Sequence, residues 1–115
     1  MQIMQQLGLS VALSPSGGMA IRQAMAMAGI PVEAGGLRIT AQPQEHGCKY
    51  LFSIEQGARE TDYIIKQHGI KMYVDPFSAE HVDGSEIDFA ETDEGARFTV
   101  TPPDRSKHRK APLVA

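Results

Sequence analysis

The chain has one thiol, Cys48, and nucleophilic or thiolate-metal chemistry has to be built around it. A catalytic thiol needs a neighbouring base, and His46 lies two residues upstream with Gly47 between them. On a strand the two would share a face, whereas Gln44 to Gly47 reads as a loop, which leaves their geometry open. The histidines His46, His68, His81 and His108 lack both the i, i+4 helical spacing and the paired cysteines of zinc sites. His68 falls in a hairpin turn and His81 on a short helix, where both read as solvated groups. The carboxylates Asp83, Glu86, Asp88, Glu91, Asp93 and Glu94 do not keep the fixed offsets of a calcium loop and read as a solvated acidic face. Neither the P-loop spacing nor the dinucleotide glycine fingerprint occurs, so ATP and NAD chemistry are not expected. A single cysteine also excludes an intrachain disulfide and an all-cysteine metal site within one chain. A thiolate-bound cofactor would need a second subunit or ligands of another type.

The elements that would position Cys48 follow from turn chemistry and hydrophobic period. Ser14-Pro15-Ser16-Gly17-Gly18 is a turn cluster in which Ser14 or Ser16 caps a following helix, with Pro15 in its first turn. The helix runs through Met19, Ile21, Met25 and Ala28 at near-helical spacing and stops at Gly29, with Ile30-Pro31 beyond. The thioethers of Met19, Met25 and Met27 are soft donors, but core packing is the expected use. After Gly35-Gly36 the period changes, and Leu37-Arg38-Ile39-Thr40 alternates as a half-buried strand does. Further strands are expected at 49–54, 63–67, 70–74, 86–90 and 96–100, with turns at Gln67-His68-Gly69 and Asp93-Glu94-Gly95. Such tight connections imply antiparallel pairing. Residues 77–82 form a short helix entered through Asp75 and Pro76 and ended by Gly84. The expected fold is a β-rich α+β single domain over residues 1–104, with curved, mostly antiparallel sheets, an N-terminal helix and one short helix. Residues 105–115 are expected to form a flexible tail.

Composition narrows the function classes. The chain has 115 residues, 42% hydrophobic and 22% charged, which is ordinary for a globular domain. No apolar run approaches the roughly 18 to 20 residues of a bilayer span. Residues 1–13 lack a basic leading region and contain Gln2, Gln5 and Gln6, which fits a secretory signal poorly; a cytoplasmic location without membrane contact is expected. Residues 58–104 hold eleven acids against four Lys or Arg, a balance of −7, whereas 105–115 carry Arg105, Lys107, Arg109 and Lys110 and no acid. Four cations on a terminus behind an acidic body do not make a nucleic-acid face, so a solvated tail is expected.

Asp62-Tyr63-Ile64-Ile65 followed by Gly69-Ile70-Lys71-Met72-Tyr73-Val74-Asp75-Pro76 resembles the HesB/IscA family of A-type iron-sulfur carriers. Ser78, then Asp83-Gly84-Ser85-Glu86-Ile87-Asp88-Phe89, Gly95-Ala96-Arg97-Phe98 and Thr101-Pro102-Pro103 continue that pattern in order, and the helix before Gly29 with Gly36-Leu37-Arg38-Ile39 resembles its opening. The resemblance covers about residues 10 to 104. It implies a HesB-like fold, a homodimer or tetramer, and binding of iron or an iron-sulfur cluster for delivery to apo-proteins or assembly factors, a carrier's work rather than an enzyme's. The family uses three cysteines, one in a Gly-Cys-x-Gly segment and two in a Cys-Gly-Cys near the C-terminus. Gly47-Cys48 stands at the first; Tyr50 replaces its second glycine, and the terminal pair is missing, with His108-Arg109-Lys110 in that region. The resemblance thus implies Cys48 as the cofactor and metal ligand, with His46 and His108 as candidates to complete the set across a subunit interface. A metal-free interaction or regulatory module on the same fold stands as the alternative.

Overall fold

The computed structural model describes residues 9–93 and 95–102, which form seven strands and two helices. The expected tail and His108 lie outside the described residues. A two-residue strand β1 (Ala12–Leu13) leads into α1 (Pro15–Ala28). Ser14 caps this helix, its hydroxyl accepting from the Gly17 amide at 2.9 Å, and Gly29 closes it in the left-handed conformation at φ 74°. The order continues β2 (Gly36–Gln44), β3 (Gly47–Glu55), β4 (Tyr63–Gln67), β5 (Ile70–Val74), α2 (Pro76–Val82), β6 (Glu86–Thr92) and β7 (Gly95–Thr101). Asp75 caps α2, with Pro76 at its first helical position.

The strands make two sheets, one in the order β3-β2-β5-β4 and one in the order β1-β6-β7. The pairs joined by tight turns, β2–β3, β4–β5 and β6–β7, are antiparallel, as their loops require. The pairs β2–β5 and β1–β6 are parallel, so the sheets are mostly but not wholly antiparallel, as expected. Turn length constrains only neighbours along the chain, and these pairs are not neighbours. Ile21 and Met25 of α1 pack with Leu37, Ile39, Met72 and Ile87 in the core. Met19 and Met27 are exposed, so only Met25 of the three plays the expected packing part.

Polar side chains join what the ladders do not. Gln67 accepts from the Leu13 amide and donates to the Val11 carbonyl, both at 2.7 Å, and the His68 ring lies 2.7 Å from the Leu13 carbonyl. His68 therefore ties the β4–β5 turn to β1, although it was expected to be merely solvated. Asp83 and Asp88 also leave the expected solvated face. Asp83 accepts from the Ser10 amide at 2.8 Å, and Asp88 accepts from the Ser14 hydroxyl at 2.5 Å. On the other sheet, β2 outruns β5, and the buried Ser78 of α2 accepts from the Ala41 amide at 2.9 Å while donating to Asp75 at 2.6 Å. Pro43 sits in this overhanging half of β2, paired only with β3, where a missing amide is tolerated. No helix of the described residues is long and apolar enough to cross a membrane.

The β2–β5 pair runs so close that a Cβ on Gly36 would lie 2.3 Å from the Lys71 carbonyl oxygen. Gly36→Ala is predicted to cost about 3 kcal/mol in urea unfolding, because neither backbone can yield. Gly57→Ala, where an added Cβ meets nothing within 4 Å, should leave the midpoint unchanged.

Candidate functional site

Cys48 stands near the tip of the long β2–β3 hairpin, in register with Pro43. Glu45 and His46 form the two-residue turn, and Gly47 leaves it at φ 100°, a conformation that suits glycine. Along β3, Cys48, Tyr50, Phe52 and Ile54 alternate half-buried with the exposed Gly47, Lys49, Leu51 and Ser53. The alternation puts the thiol at the end of an aromatic row. Phe52 packs on Phe98 of β7 with ring centroids 5.3 Å apart, and Phe98 meets Phe89 of β6 edge-on at 4.9 Å. The Tyr50 hydroxyl donates to the His81 carbonyl of α2 at 3.0 Å, and the His81 ring rests against Phe77. Tyr50, Phe52, His81, Phe89 and Phe98 line an open cleft of about 890 Å³ between β3 and the β6–β7 hairpin, with Cys48 on its wall.

The thiol contacts the Lys49 carbonyl at 3.6 Å, and Tyr50 is its next neighbour on the same face of β3. Burial, helped by that sulfur, pushes the Tyr50 phenol up to about 12. It therefore stays a neutral donor at physiological pH.

The base of the same hairpin is held by a buried ion cluster. Arg38 of β2 makes a two-pronged contact with Asp62, at 2.9 and 2.5 Å, and its Nε donates to Glu55 at the end of β3 at 2.6 Å. The guanidinium lies 5.9 Å from the centre of the Tyr73 ring on neighbouring β5. The expected half-buried alternation of β2 thus gives way to burial on both faces, since Arg38 is only 3% exposed. Asp62 also accepts from the Arg59 amide at 2.6 Å. The Arg38 hydrogen bonds hold its carboxyl below the usual carboxylate range and raise the guanidinium above its own.

Of the three ligand candidates, Cys48 lines the cleft and His46 stands exposed in the adjoining turn, while His108 lies outside the described residues. Among the described residues no group of three or more His, Cys, Asp or Glu is placed to hold a metal ion. An iron-sulfur cluster usually takes four protein ligands, mostly thiolates, and the described part of one chain has a single thiol. Sequence reasoning missed Tyr50, Phe52 and Phe98 as neighbours of the thiol, although the alternation Cys48, Tyr50, Phe52 carried the signal. It also missed the Arg38–Asp62 pair, whose signal was a charge inside the apolar run Leu37-Arg38-Ile39.

Asp62→Asn should cost about 3–5 kcal/mol by leaving Arg38 buried without its full counter-charge. Because the folded pKa of Asp62 is depressed, its stabilising contribution is complete above the unfolded carboxylate value of about 3.9 and is lost as the pH falls through the lower folded value. Urea midpoints measured from neutral to acid pH should therefore converge for wild type and Asp62→Asn at the acid end. Tyr50 should ionise near pH 12 in an ultraviolet phenolate titration, and Cys48→Ala should bring that value part of the way back.

No family model matches the chain. It is 37% identical over 60 residues to the iron-sulfur cluster insertion protein ErpA of Aeromonas salmonicida, covering 52% of each chain. It is 33% identical over 60 residues to ErpA of Hydrogenovibrio crunogenus, covering 52% of this chain and 53% of that one. The chain spans about half the length of the curated relatives it matches. Its fold matches a crystal structure of IscA with the 2Fe-2S cluster at a TM-score of 0.71 and 24% identity, covering 83% of this chain and 86% of that one. Escherichia coli SufA, involved in biosynthesis of iron-sulfur clusters, matches at 0.66 and 21% identity, covering 81% and 85%. Over half its length the chain is thus similar in sequence to ErpA insertion proteins, and over most of it the fold is the one seen in IscA and SufA.

Proposed function

We propose that the chain is an iron-sulfur cluster assembly or carrier protein that holds iron or a cluster as cargo through Cys48 and passes it to apo-proteins. The observation that carries this reading is the placement of the chain's one thiol at an open cleft on the fold shared with IscA and SufA. The names of the similar insertion proteins support it.

One thiolate per chain makes the site incomplete alone. Two chains related by a two-fold axis bring two Cys48 thiolates to one interface, where they hold a two-iron cluster between them. His46, His108 or an external thiol fill the remaining positions, histidine being an accepted ligand in two-iron centres. Release is ligand exchange. A recipient thiol gives up its proton and forms an iron–sulfur bond, the Cys48–iron bond breaks, and the Cys48 thiolate takes up a proton; no electron moves and no turnover residue is required.

The absence of a three-donor group among the described residues favours one other reading, a metal-free module that acts through protein contacts. Anaerobic reconstitution with ferrous iron, sulfide and a thiol separates the two. The carrier reading predicts stoichiometric iron and thiolate-to-iron charge-transfer bands that Cys48→Ser abolishes. A colourless, iron-free wild type would establish the metal-free module, and full absorbance in Cys48→Ser would remove Cys48 as a ligand.

A further inference from the structure

The described residues leave the cleft beside Cys48 open, although Tyr50, Phe52, Phe89, Phe98 and Val100 give it a largely apolar wall. Apolar surface gathered in one concave place is unfavourable to leave against water and favours an apolar occupant. Pro102, the last described residue, is itself part of that wall. It follows Thr101, which pairs with Glu86 at the end of the β6–β7 ladder, so the chain leaves β7 at the cleft. The thirteen residues after Pro102 divide by chemistry. Residues 105–110 hold Arg105, Lys107, Arg109 and Lys110, and residues 111–114 read Ala-Pro-Leu-Val with no polar side chain. The cations alone fit the solvated tail that charge patterning predicts, but Leu113 and Val114 do not.

From this combination we infer that residues 111–114 dock in the apolar cleft of their own chain and cover Cys48 while no cargo is bound. Pro102 and Leu113 are eleven positions apart, a reach of up to about 36 Å when extended, which exceeds the width of a cleft of this volume several times over. The intervening cations pass a body whose residues 58–104 balance at −7, with the exposed Glu86 opposite Thr101 where they set out. Attachment at the cleft makes a small apolar contact sufficient, because it turns docking into an intramolecular event at an effective concentration of millimolar order. The contact is autoinhibitory, since a thiol under the tail is withheld from metal and from alkylating reagents until Leu113 and Val114 are displaced. That consequence for loading rests on the carrier reading, whereas the docking is measured without iron.

Two readouts on the full metal-free chain test this. Nuclear Overhauser contacts are expected between the methyl groups of Leu113 or Val114 and the rings of Tyr50, Phe52 and Phe98. Alkylation of Cys48 by iodoacetamide, an uncharged reagent, is expected to speed up about tenfold in the double variant Leu113→Ser, Val114→Ser, as for a cleft that is about nine-tenths occupied in wild type. Arg109→Glu with Lys110→Glu should weaken the methyl-to-ring contacts. The inference is overturned if these contacts are missing, if the alkylation rate is indifferent to the double variant, or if Ile3 or Leu7 meets the rings in place of Leu113 and Val114. It is overturned as well if mixing labelled with unlabelled chains shows the contacts to run between chains. Docking without iron loading on reconstitution would keep this inference and remove the carrier reading, and iron loading without the methyl-to-ring contacts would do the reverse. Where both hold, the double variant should load iron faster than wild type, and equal loading rates would overturn the inhibitory role.

Discussion

The buried contact between Arg38 and Asp62 is the constraint on which the geometry of the thiol depends. Arg38 reaches three elements at once, Asp62 ahead of β4, Glu55 at the end of β3 and the face of Tyr73 on β5. A guanidinium almost fully removed from water is tolerable only when its donors are met, and the two carboxylates meet them. The β2–β3 hairpin is consequently fixed at its base, and the nine-residue register from Gly36–Glu55 to Gln44–Gly47 carries that fixation to the tip where Cys48 sits. A bidentate ion pair is directional as well as attractive, which makes it suited to setting the angle of a long hairpin.

The second sheet is placed by a different kind of contact. Gln67 and His68 hold β1 against the β4–β5 turn, Asp83 and Asp88 hold the chain around it, and β1 in turn pairs with β6. Phe52, Phe98 and Phe89 then close one end of the space between the sheets by aromatic packing. The space that stays open is lined by β3 and β7, with the thiol on its wall. The β2–β3 hairpin thus presents the one thiol of the chain at this space. The proposed carrier chemistry therefore needs ligands from outside the described part of one chain.

Much of this fold was legible in the sequence because its signals are local. Ser14, Gly29 and Asp75-Pro76 mark helix ends through backbone chemistry that acts within a few residues, and His68-Gly69, at φ 55° and 74°, mark a two-residue turn in the same way. The parallel pairing of β2 with β5 was not legible, since no turn joins them and only the close approach at Gly36 records it. Arg38 was read as the polar half of an alternation because its partners lie 17 and 24 residues away. Cys48 was visible in the sequence as the chain's one thiol. Its surroundings were not, because Tyr50 and Phe52 point into a space whose far wall comes from β6 and β7.

The proposed carrier role requires that Cys48 hold cargo between two chains. Native mass spectrometry of the anaerobically loaded protein tests this most directly, because it counts chains, iron and sulfide in one intact particle. The account predicts a particle of two chains carrying a two-iron cluster, replaced in Cys48→Ser by particles without iron. Iron retained by Cys48→Ser, or a wild type that carries none, would contradict it.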